Sequence, residues 1–207
     1  MDQRQRAAQA GFAARIALYC WIAIVAVEII IDLDFVAGGG VDVWFASGRI
    51  VAVAALAVLG ATLLTAIVVS VWIYRAMTVA HLTHPDLTIS PGWAVGWYFV
   101  PVAALWKPYE AMVEIVESSG ARRPGQWAFV RDLIGWWWAA WIGRGILGSI
   151  QAFLPGNTDP GIVFSVAQGL FLILGGALGI AAAWCLATII RHVAELQLRA
   201  VDSTIFD

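Results

Sequence analysis

Four apolar runs, at about residues 12–34, 46–74, 132–154 and 161–187, constrain this chain more than anything else in it. Each is long enough to cross a hydrocarbon layer of about 30 Å, because a helix rises ~1.5 Å per residue and roughly 20 residues suffice. Hydrophobic residues make up 61% of the chain and charged ones 13%, against about 45–50% and about 25% in soluble domains. One water-soluble core cannot hide that excess. Without water, backbone polar groups must be satisfied within the segment, so the reading is an all-α, polytopic membrane helical bundle forming a single domain. Gly38, Gly39 and Gly40 mark one turn and LPGNTDPG another, so the four transmembrane helices form two antiparallel hairpins. The amino-terminal run is too long for a signal-peptide core of about 7–15 residues and contains Glu28 and Asp32, which makes it a retained first span.

Basic residues set the orientation, since cytoplasmic loops are enriched in them. Arg4, Arg6 and Arg15 precede or begin span one; Arg75, Lys107, Arg122, Arg123 and Arg131 lie between spans two and three; Arg191 and Arg199 follow span four. The two outer connections offer only Arg49. Both termini are therefore expected in the cytoplasm. The formal charge of -2 and the absence of a clustered basic face give no reason to expect a nucleic-acid partner.

The segment 91–118 is the least generic part. Its uncharged stretch, 91–106, would cover only about 24 Å as a straight helix, and a single crossing would move Arg122, Arg123 and Arg131 to the wrong side. It is expected to be a Pro-broken interfacial or re-entrant helix. Ser90 and Pro91 suit a helix start. Pro101 and Pro108 each remove a hydrogen bond and should kink the segment twice. Trp93, Trp97, Trp106 and Trp127 form an aromatic collar at the inner interface, or line a groove between the hairpins. Beyond it, Ala111, Met112, Ile115 and Val116 share one helical face, and Glu110, Glu114 and Glu117 form a solvated stripe.

The pattern Gly92, Trp93, Trp97, Pro101, Pro108 and Tyr109, followed by an acidic helix and a Trp-rich span, resembles the bacterial membrane-protein family catalogued as domain of unknown function 4328. The similarity covers most of the chain from span two onward. It implies a small multi-pass protein of the bacterial cell (inner) membrane, and supplies neither an activity nor catalytic residues.

Ionisable groups inside spans cost about 2.5–3.5 kcal/mol each on insertion scales, so they face partners or water. Glu28 and Asp32 share a face of span one, Arg49 lies near the start of span two, and Arg144 lies in the middle of span three. Asp32 with Arg49, and Glu28 with Arg144, are the expected pairs; the alternative is an ion or ligand pathway. Trp137 and Trp141 share the Arg144 face and could stack on it. Gly143, Gly145 and Gly148, with Gly175, Gly176 and Gly179, suit close helix approach, Gly175 and Gly179 standing at GxxxG spacing. Cys20 and Cys185 read as small buried hydrophobes.

His81 and His84 are weak candidate metal ligands that Glu110, Glu114 or His192 could complete, and His84 before Pro85 predicts a helix end. With no hydrolase, P-loop, zinc-protease or dinucleotide signature, no catalytic residue is assigned and no cofactor is expected. The leading reading is a non-enzymatic scaffold or regulatory subunit working through the lipid bilayer, a membrane-protein partner or a homo-oligomer. A small oligomeric transporter or channel using Glu28 and Arg144 comes second, and a membrane-embedded enzyme third.

Overall fold

The computed structural model describes residues 2–36, 48–120, 124–153 and 166–202. Side chains at 35, 36, 48–51, 124–126, 166, 167 and 199–202 are not described. Among the described residues six α-helices follow in order: α1 (Gln3–Val36), α2 (Gly48–Thr83), α3 (Pro91–Gly96), α4 (Lys107–Ser118), α5 (Pro124–Ala152) and α6 (Val166–Asp202). Three stretches, Gln3–Asp34, Ala52–Thr83 and Gln168–Leu198, are long and apolar enough to cross a membrane. The expected fourth is not clearly among them. At 29 residues α5 has the length, but Arg144, its glycines and its row of tryptophans dilute its apolar character. The predicted turns at Gly38–Gly40 and at 154–161, and the basic turn at Arg122 and Arg123, lie outside the described residues.

Helix α1 packs against α2 and α6, and α6 also packs against α5. Trp21 Nε1 donates to Thr62 Oγ1 at 3.0 Å, Thr65 Oγ1 to the Ala17 carbonyl at 3.4 Å, and Arg75 Nη1 to the Arg6 carbonyl at 3.1 Å. Residue numbers rise on one helix as they fall on the other, so α1 and α2 are antiparallel. Both overrun their apolar stretches at the arginine-rich end, where QRQRAAQA offers good helix formers and no breaker. Helix α2 stops at Thr83, just before His84 and Pro85.

The core sits at this arginine-rich end. There α4 lies between α2 and α5, and Trp72, Met77, Met112, Ile115, Ile134 and Ile190 are fully buried. Ala111, Met112, Ile115 and Val116 are the buried face of α4, and Gly120, at φ 92°, supplies the left-handed residue that follows it. Cys20, by contrast, is exposed and Cys185 only half-buried; apolar surroundings in sequence did not translate into burial, because the outer face of α1 has no neighbour at Cys20.

The Trp and Pro segment doubles back. Ser90 Oγ accepts from Trp93 N at 3.4 Å, with Pro91 in the first turn. The chain then tightens into two 3₁₀ turns, Trp97–Phe99 and Ala103–Leu105, on either side of Pro101. Pro108 does not kink a helix as expected; it stands in the first turn of α4, where its missing N–H is no loss. Trp93 and Trp97 stack at 4.5 Å. The tip reaches the middle of α5, where Trp138 Nε1 donates to the Leu105 carbonyl at 3.1 Å and Tyr98 meets Trp141 edge-on at 6.1 Å. Burial pushes the Tyr98 hydroxyl above the usual phenol range, so it stays neutral there. Phe99, 80% exposed, projects from the tip.

The Trp138 bond satisfies a carbonyl that the broken helix leaves without a ladder donor. Trp138→Phe keeps the ring and removes that donor, and should cost about 0.5–1.5 kcal/mol, the net worth of one exposed hydrogen bond. A lowered unfolding midpoint of the purified chain checks it.

Candidate functional site

The charged residues singled out by sequence gather in the other half of the bundle. Trp21, Glu28 and Asp32 recur at helical spacing along α1 and face inward together. Arg144 approaches from α5, and its Cζ lies 4.9 Å from the centroid of the Trp21 ring. Between them runs α6, which has no side chain at this level because residue 179 is glycine. A Cβ there would overlap Arg144 Nη1 and come within 2.8 Å of Trp21 Cη2. Gly179 is thus a notch in which guanidinium and indole meet.

The indole is held from all sides. Its N–H is tied to Thr62 on α2, it belongs to α1, its face carries Arg144 of α5, and its six-membered edge lies on Gly179 of α6. It is 8% exposed. A tryptophan at mid-span, away from the ends where indoles favour headgroups, was a readable signal: its N–H needs an acceptor, and threonines 62 and 65 were the candidates within span two.

Arg144 does not use the tryptophans of its own helix. Trp137 is buried beside Trp138, their centroids 5.4 Å apart, and Trp141 stacks on Trp138 at 4.9 Å and 16°. The glycine notch lets the guanidinium turn across to α1 instead. Glu28 and Arg144 lie within each other's electrostatic reach, and Glu28 within that of Asp32. No direct salt bridge joins Glu28 to Arg144: the ion pairs among the described residues are Lys107 with Glu110 and Arg191 with Glu195. The Arg49 side chain lies outside the described residues, so the Asp32 pairing does too.

Of the glycines, Gly176 receives Ile29 and Val25, and Gly143 receives Leu178, whereas Gly145, Gly148 and Gly175 meet nothing within 4 Å. The close approach therefore uses Gly176 and Gly179 rather than the GxxxG pair with Gly175. The open glycines of α5 help to line a groove of about 790 Å³ running from Pro101 and Leu105 past Trp141 and Arg144 to Phe153.

The histidines do structural work at the arginine-rich end. His81 Nε2 donates to the Ile89 carbonyl at 2.9 Å, and Glu114 accepts from Ile89 N at 3.2 Å and from the Thr88 hydroxyl. His84 Nδ1 lies 3.1 Å from the Thr83 hydroxyl, and His192 bonds the Thr188 carbonyl at 2.9 Å. The His81 and Glu114 contacts pin the start of the doubled-back segment between α2 and α4. Glu114 is an anchor rather than part of a solvated stripe, and Glu110 is paired with Lys107 at 2.5 Å. No group of three His, Cys, Asp or Glu suited to a metal ion occurs among the described residues.

The notch makes a contrast testable. Gly179→Ala should destabilise the chain by about 1–3 kcal/mol through overpacking, while Gly175→Ala, facing open space, should be within about 0.5 kcal/mol of the parent. Unfolding midpoints of the two variants decide it.

No curated protein and no solved structure matches the chain significantly. Residues 39–195, which take in α2 through most of α6, match the family described as Domain of unknown function (DUF4328). The chain belongs to that family.

Proposed function

We propose that the chain is a four-span integral protein of a bacterial cell membrane, with both termini cytoplasmic and the 91–118 segment re-entrant from the cytoplasmic side. In this reading it works as a non-enzymatic scaffold or regulatory subunit, through contacts with lipid and with another membrane protein. At about 44 Å, α5 is long enough to be the fourth span, and its tryptophans are suited to interfacial positions.

One observation carries the functional half. The outer part of α2 leaves every side chain from 52 to 57 exposed, with Val53 and Leu56 both at 67%, and Leu59, Leu63, Leu64 and Ile67 continue the surface. So large an apolar face with no packing neighbour among the described residues favours a partner or hydrocarbon against it. A second reading, a small oligomeric transporter or channel, is supported by the half-buried Glu28, with Asp32 one turn along α1 and Arg144 both within its electrostatic reach.

Topology is tested with single cysteines in a Cys20→Ser, Cys185→Ser background. Asp34→Cys should react with an impermeant maleimide in intact cells and Glu117→Cys only in inverted vesicles; labelling of both from one side overturns the arrangement. A photo-crosslinking side chain at Leu56 should then give a discrete protein adduct in native membranes. Lipid adducts alone, together with ion flux in liposomes that Glu28→Gln abolishes, would favour the transporter.

A further inference from the structure

Among the described residues, Arg15 carries a buried donor that no acceptor meets. Its Nε is covered by protein and has no hydrogen-bond acceptor, and it takes part in neither salt bridge among the described residues. Buried donors are nearly always paired, so an orphaned one calls for an explanation. Its position on α1 decides what the rest of that guanidinium can reach.

Arg15 is bracketed along the seam between α1 and α6. One turn before it, Gly11 abuts Ile190 of α6 and Trp72 of α2, whose Cγ2 and Cδ1 would each lie 3.2 Å from an added Cβ. One turn after it, the Tyr19 ring meets Trp184 edge-on, with centroids 6.1 Å apart at 62°. Both of these aromatic side chains are exposed. On α6, Arg191 stands seven residues beyond Trp184 and shares its face. Arg191 is half-exposed, and its salt bridge is a 4.0 Å contact with Glu195 on its own helix. The seam therefore carries Arg191 and Arg15 toward the arginine-rich end and an aromatic pair just beyond them toward mid-span.

We propose that this seam binds the phosphate headgroup of an anionic lipid of the cytoplasmic leaflet. The proposal rests on the membrane reading above. The terminal nitrogens of Arg15, which are not closed off as its Nε is, and the Arg191 guanidinium donate to phosphate oxygens in charge-assisted bonds, and the acyl chains lie over Tyr19 and Trp184, where ring edges meet hydrocarbon. The two arginines offset a net negative headgroup better than a zwitterionic one, whose own cation competes for the phosphate. Glu195, engaged with Arg191, limits that second contribution and leaves Arg15 dominant.

Native mass spectrometry of the full chain, released from nanodiscs of equimolar phosphatidylglycerol and phosphatidylcholine, reads the preference directly. The parent should retain phosphatidylglycerol preferentially. Arg15→Gln should lower the preference about five-fold, the contribution of one basic residue near an anionic surface, and Trp184→Ala should weaken retention of both lipids. Arg15→Lys, which keeps the charge, should hold most of the preference; if Arg15→Gln does not incorporate, Arg191→Gln should show a smaller loss of the same sign. Arg75→Gln should change nothing, because Arg75 already donates to the Arg6 carbonyl. Equal retention of the two lipids by the parent, an equal loss in Arg75→Gln, or displacement by millimolar inorganic phosphate overturns the site. A chain that enters nanodiscs normally but shows no preference removes the site and leaves the membrane reading standing.

Discussion

A guanidinium in the middle of an apolar helix is the constraint around which this bundle is arranged. Arg144 has to be housed, and the chain houses it on the face of one indole, Trp21, with Gly179 removed to zero side chain so that the two can meet. Desolvated contacts of this kind are worth up to about 2 kcal/mol or more. Because the same indole is tied by its N–H to Thr62, α1, α2, α5 and α6 are all registered at a single side chain. Glu28, within reach but out of contact, offsets the charge without fixing the geometry.

Below that level the bundle is tightly packed and above it the bundle loosens. The difference comes from the doubled-back segment, which inserts α4 between α2 and α5 at the arginine-rich end. Its entry is pinned by His81 and Glu114 at Ile89, and its tip by Trp138 and Trp141 of α5. Among the described residues nothing comparable fills the space past the tip, and there the outer part of α2 shows its apolar surface and α5 its groove. Whatever this protein contacts laterally is best looked for there, while the seam between α1 and α6 offers a separate, charged place for a lipid.

Features set by one segment alone were legible in the sequence. The apolar runs, the Ser90 and Pro91 helix start, the stop before Pro85 and the buried face of α4 each depend on local spacing and local chemistry. The Trp and Pro pattern also identified the family. Features set by register between helices were not legible. Periodicity put Trp137 and Trp141 on the Arg144 face, but it could not show that a glycine on the next helix would open a better seat on Trp21. Pro108 was misread for a related reason: the 3₁₀ turn before it restarts the helix, which turns a kink into a first turn. Glu114 read as a surface charge because the backbone it holds lies 25 residues away. The apolar tally of α5 fell short because tryptophan and glycine, which suit interfaces and close packing, count for little as hydrocarbon.

The central claim is that Arg144 and Trp21 hold each other and thereby the bundle. A double-mutant cycle on the full chain, combining Arg144→Gln with Trp21→Leu and reading unfolding free energy, measures this with least ambiguity. The account predicts a coupling of about 1–2 kcal/mol between the two positions; additive effects, with no coupling beyond about 0.3–0.5 kcal/mol, would contradict it.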